Sequence, residues 1–170
     1  MIDDNGLDSI WEGDGMTMED VKEAVEGNLC PKGRWEGQLQ PVNPETDIQT
    51  VKTENGDHPL EGQKVSRLHA VVFTEEGEKH LFFDAFPSTV KAISKKGGSY
   101  IRQESLNAAH LYTATQLVGR PFGEVLKAAM DNRLVYDIGI RKAREDKETG
   151  EFYAAQNQIR GIYPLKKEVE

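Results

Sequence analysis

Two stretches, VSRLHAVVF (65–73) and KHLFFDAF (79–86), joined by the polar turn TEEGE, constrain this chain more than any other feature. Apolar side chains alternate along them with a period near two, which a strand satisfies and a helix does not. In the second stretch Leu81, Phe83 and Ala85 are expected on one face, and Phe82, Asp84 and Phe86 on the other. The pair reads as a β-hairpin.

The same period returns elsewhere. In CPKGRWEGQLQPV, Trp35, Gly37 and Leu39 alternate with Glu36 and Gln38. After Asn132, Leu134, Tyr136, Ile138 and Ile140 alternate with Arg133, Val135 and Asp137, and a turn at KETGE leads into a last strand, FYAAQNQIRGIYP. Helical spacing marks 104–118, closed by Gly119, and PFGEVLKAAMDN, with Pro121 in its first turn. TMEDVKEAVEG reads as a short helix with Thr17 and Asp20 as a capping box and Gly27 as its stop. Residues 43–64, rich in Pro, Gly, Asn and Asp, form a long connection. The expected fold class is mainly β with a helical insertion (α+β). Its form is a five-stranded OB-fold-like barrel, with helices between the third and fourth strands and a short N-terminal helix. An SH3-like barrel lacks that insertion.

The chain has 170 residues, enough for one core, and a formal net charge of −8. That charge is local. Residues 1–27 hold nine acids and one base, Lys22, so the remainder carries 20 bases and 20 acids. The expected organisation is an acidic arm with a short helix over 1–27 and the barrel domain over 28–170. The arm also carries a lone Trp11. No apolar run approaches the length of a bilayer, and MIDDNGLDSI lacks the order of a signal peptide. The expectation is a cytoplasmic protein (host cytoplasm if viral) without a membrane partner.

Catalytic constellations are missing. Cys30 is the single cysteine, and the histidines (His58, His69, His80, His110) form no HxxxH or HExxH motif. His69 and His80 fall on adjacent strands and are read as ordinary sheet residues. No GxxxxGK[ST] or GxSxG motif is present. No catalytic residue, metal ligand or cofactor is assigned, and the chain is read as a non-enzyme. Asp84, between phenylalanines, is the one carboxylate singled out.

Bases and rings do occur together, the combination that holds single-stranded nucleic acid through phosphates and stacked bases independently of its sequence. Residues 87–103 contain no acid but hold Lys91, Lys95, Lys96, Tyr100 and Arg102. The C-terminal hairpin offers Arg141, Lys142, Arg144, Lys147, Tyr153 and Arg160, alongside the acids Glu145, Asp146, Glu148 and Glu151. Arg34 and Trp35 open the first strand. Phe82 and Phe86 are expected to be exposed, whereas Trp35, Phe73, Phe83 and Tyr136 fit the core.

The strand Asn157, Ile159, Arg160, Gly161, Tyr163 after a helical insertion, with the opening PKGRWEGQL, resembles small phage-encoded single-stranded DNA-binding proteins. The likeness runs over roughly residues 31–165. It implies an OB-type fold that coats single-stranded DNA in bacteriophage replication or recombination, without catalysis. The acidic arm has no counterpart there. It is read as a DNA mimic or as a recruiter of replication and recombination proteins, and a homodimer stays open. The alternative is a protein-interaction module, a viral inhibitor or adaptor acting through the arm.

Overall fold

The computed structural model describes residues 15–52, 56, 60–94 and 96–165. The N-terminal acids up to Asp14, Trp11, His58, Lys95 and residues 166–170 lie outside that set. The chain divides into two compact units, Leu29–Arg141 with Asn157–Glu170, and Met1–Asn28 with Lys142–Gln156.

The larger unit is an antiparallel sheet backed by helices. Its long strands are β1 (Gly33–Leu39), β3 (Lys64–Thr74), β4 (Gly77–Ala85), β7 (Leu134–Arg141) and β10 (Gln156–Pro164). Hydrogen bonds join them in the order β10-β7-β1-β3-β4. The sheet is open and not closed into a barrel. The expected connection 43–64 is partly ordered: α2 (Pro44–Asp47) and β2 (Ile48–Thr50) form within it. Asn43 caps α2 by accepting from the Glu45 N–H, and Pro44 suits its first turn. β2 pairs with Lys64–Ser66 and β1 with Ala70–Phe73, while β4 pairs along Ser66–Thr74. A strand has two edges, so β1 and β2 lie end to end along one edge of β3.

The β3–β4 turn is tighter than TEEGE implies. Thr74 pairs directly with Gly77, leaving Glu75 and Glu76 as a two-residue loop. Thr74 Oγ1 accepts from the Glu76 N–H and donates to the Gly77 carbonyl, and Gly77 takes φ 104°.

Between β4 and β7 lie β5 (Lys91–Ile93), β6 (Ser99–Ile101), α3 (Gln103–Thr115) and α4 (Phe122–Asp131). The expected basic loop is thus a small antiparallel hairpin. The expected helix to Val118 stops at Thr115, because Gln116 turns left-handed at φ 60°. α3 and α4 cover one sheet face. Leu39, Leu68, Val72, Leu111, Val125, Tyr136 and Ile138 are among the residues buried there. Gly37 has no room for more: a Cβ would lie 2.7 Å from Val72 Cγ1 and 2.8 Å from Tyr136 Cδ2.

α3 also spans the two sheet edges. Asn107 Nδ2 donates to the Asp84 carbonyl on β4, and Gln103 Nε2 donates to the Ile159 carbonyl on β10. Gln103 and Asn107 are themselves bonded at 2.7 Å, and Gln158 donates to Gln103 Oε1. Where a closed barrel would pair two strands, side-chain amides bridge them.

The smaller unit contains α1 (Met18–Asn28), β8 (Arg144–Glu145) and β9 (Phe152–Tyr153). Thr17 and Asp20 form the reciprocal capping box: the Thr17 N–H donates to Asp20 Oδ2, and the Asp20 N–H to Thr17 Oγ1. The Thr17 N–H, and after it the Thr17 hydroxyl, hold the Asp20 carboxyl below its ordinary pKa. Gly27 does not end α1, which runs to Asn28. The expected last strand is broken at Ala154–Ala155, so the hairpin tip forms its own two-stranded sheet.

Candidate nucleic-acid interface

The sheet face away from the helices carries a stack of rings. Burial alternates along β3, with Ser66, Leu68, Ala70 and Val72 inward, so Arg67, His69, Val71 and Phe73 face outward. On β4, His80, Phe82 and Asp84 share that face. The register sets His69 opposite Phe82, Val71 opposite His80 and Arg67 opposite Asp84. The His69 and Phe82 rings lie 4.4 Å apart at 12°, and His69 and His80 lie 5.0 Å apart at 29°. Phe82 is 72% exposed, a large ring held flat against a neighbour yet open to solvent. His69 Nε2 and His80 Nδ1 are 2.7 Å apart, so one ring N–H donates to a neutral nitrogen of the other. Burial first, and then His80, lowers the pKa of His69.

The same face continues across β1 and β7. Arg133 sits 4.5 Å from the Phe73 centroid and 3.5 Å from a Glu36 oxygen. Phe73, expected in the core, is therefore an outer-face residue. The run Val71, Val72, Phe73 hides which parity is inward. Arg34 lies 4.7 Å from the Tyr163 ring and 3.4 Å from Asp137. Arg160 crosses Gly139, where a Cβ would clash with the guanidinium. The outer face thus offers Arg34, Arg67, Arg133 and Arg160 against Glu36, Glu78, Asp84 and Asp137. Its charge is balanced.

The residues that carried the family resemblance have separate structural reasons. Asn157 Oδ1 accepts from the Cys30 N–H and its Nδ2 donates to the Cys30 carbonyl, both at 2.8 Å, tying the start of the domain to β10. Ile159 is core, and Gly161 makes room for the Tyr163 ring. Cys30 is buried, which pushes its thiol pKa up to about 11. Trp35 Nε1 donates to the Pro31 carbonyl at 2.7 Å, and its ring lies over Gly33, whose φ is 147°.

That bond removes Trp35 from the expected interface: its ring packs against the core on the helix side. Phe86 is a second correction, being fully buried. β4 ends at Ala85 ahead of Pro87, so strand alternation no longer sets the direction of Phe86. Arg102 is a third. It is half-buried at the start of α3, with Nε bonded to Glu104 at 2.9 Å.

The remaining described candidates are exposed. Lys91, Lys96 and Tyr100 belong to the β5–β6 hairpin, together with Ile93 at 78% exposure. Arg141 is exposed at the end of β7. Lys142, Arg144, Lys147 and Tyr153 are exposed in the smaller unit. There the Arg144 guanidinium lies 4.9 Å from the Tyr153 ring, opposite each other in register, whereas Glu145 pairs with Phe152. Tyr153 Oη donates to Glu151 at 2.6 Å, so a carboxylate accompanies the cation, and it raises the Tyr153 pKa.

Sequence reasoning placed His69 and His80 together but gave them no role, and it missed Phe73, Arg133 and Tyr163. A two-residue loop at Glu75–Glu76 was the usable signal, since it alone sets His69 against Phe82. Among the described residues no group of three or more His, Cys, Asp or Glu side chains is placed to hold a metal ion, and no helix is long and apolar enough to cross a membrane. Comparison with protein-family models, with curated proteins and with solved structures finds no match.

Proposed function

We propose that this chain binds single-stranded DNA by base stacking and phosphate neutralisation, without catalysis, in a coating role of the kind phage replication and recombination require. One observation carries the reading: the solvent-open Phe82–His69–His80 stack on a rigid strand pair, which has the form of a stacking platform. Phe73 with Arg133 and Tyr163 with Arg34 extend rings and cations along the same sheet. The neighbour order of the long strands supports an OB-type ancestry: it is that of such a barrel opened between its third and fifth strands.

The balanced charge of this face limits how many phosphates it neutralises. Titration of labelled oligo-dT at rising salt tests the reading. Binding is expected, with a log–log salt slope of about −2 to −3, each neutralised phosphate adding about −0.7. The pairing of cations with acids on the outer face and at the hairpin tip equally suits a protein partner, the role of an adaptor or inhibitor. Absence of oligo-dT binding at low salt selects that second reading.

A further inference from the structure

We infer that the cavity at the end of the ring platform receives one nucleobase of the bound strand, and that guanine is the base it fits. The inference deepens the single-stranded DNA reading and rests on it for the strand that delivers the base.

The cavity, of about 260 Å3, is bordered by residues of β2, β3, β4 and the start of α3. Its position is set by register. Arg67 and Asp84 are a cross-strand pair on the outer face, two residues along from His69 and Phe82. Successive same-face pairs stand roughly 6.7 Å apart along a strand, so the mouth adjoins the platform. A base stacked on Phe82 therefore has its neighbour over the opening.

The lining matches a planar heterocycle with a polar edge. Val51, Leu60 and Val65 supply apolar wall, while Arg67, Asp84, Arg102 and Glu104 supply charge. Arg102 and Glu104 hold each other at 2.9 Å, which fixes that side. Asp84 stands exposed at the cavity mouth, where partial burial of its carboxyl raises its pKa, Arg67 pulls it down and Glu104 pushes it up. A carboxylate accepts two parallel donors, and a guanidinium donates two. Among the DNA bases only guanine presents adjacent N1–H and N2–H2 donors on one edge, with O6 and N7 acceptors beside them. Thymine offers one N–H between two carbonyls, and adenine and cytosine each offer a single amino group.

The test compares oligo-dT with oligonucleotides of the same length carrying one dG. Wild type should bind the dG strand about tenfold tighter at the best position, the discrimination of one bidentate pair. Asp84→Asn, which keeps size but replaces an acceptor with a donor, should abolish that ratio, and Glu104→Gln should reduce it, with folding checked by circular dichroism. In parallel, dGMP should shift the backbone amides of Val51, Arg67, Asp84 and Arg102 in NMR spectra, and dTMP should not. Where oligo-dT binds, a dG strand no tighter than it or a ratio untouched by Asp84→Asn overturns the pocket, and in every case so does silence of those amides toward dGMP. If oligo-dT fails to bind while dGMP still shifts them, the pocket stands and the strand-binding reading falls.

Discussion

The outer sheet face and the hairpin tip both set a cation beside a ring, yet they differ in what holds the ring. On the sheet, Phe82 is fixed by nine consecutive β3–β4 residue pairs and by the His69 ring beneath it. At the tip, Tyr153 is fixed by two such pairs, and its hydroxyl is spent on Glu151. A long register spreads the cost of ordering an exposed ring over many backbone bonds, while a two-residue strand leaves that cost to side-chain contacts. Composition favours the tip as an interface, and mechanical support favours the sheet.

The largest expected break uses one substitution in both places. Gly37→Ala should cost about 3 kcal/mol in urea unfolding, because its Cβ meets Val72 and the Tyr136 ring in a packed core. Gly150→Ala should cost only about 1 kcal/mol, since space around it is open and only its φ of 74° objects. Equal costs would mean that the tip is as tightly built as the sheet. Next in size, Phe82→Ala should weaken oligo-dT binding by about 2 kcal/mol. The thermal midpoint should barely move, as the ring is mostly exposed. Tyr153→Ala should lose clearly less, and the reverse order would transfer the interface to the tip.

A pH experiment sharpens the same contrast. The pKa of His69 is lowered in the fold, so the unfolded chain takes up protons first as pH falls below the ordinary histidine value near 6.5. Stability is therefore full above that value and declines as pH drops through it toward the depressed folded pKa. His110, lowered by burial, adds in the same direction. Thermal midpoints at pH 8 and pH 5.5 should fall more for wild type than for His69→Gln; an identical fall would leave His110 as the source. The smallest effect is expected from Thr17→Ala, which removes one side of the capping box of an exposed helix. Amide exchange in α1 should quicken while β3 and β4 stay protected.

Period-two patterning located the five long strands, because each buries one face, and helical spacing located the insertion between the third and fourth. It failed where direction depends on something other than parity. Phe86 lies past the end of a strand, and Phe73 sits in an unbroken apolar run. The small β5–β6 and β8–β9 sheets escaped because strands of two or three residues carry no period. The cavity was illegible for a related reason: Arg67 and Asp84 are 17 positions apart, and they meet through register alone.

The amide bridge of Gln103 and Asn107 has a consequence for life in a crowded cell. Edge strands expose carbonyls that invite pairing with another chain. Here the Asp84 and Ile159 carbonyls, one on each edge of the sheet, are already taken by the same helix. A second chain that tried to pair at Asp84 or at Ile159 would first have to displace α3, so one point on each edge of this open sheet is already occupied.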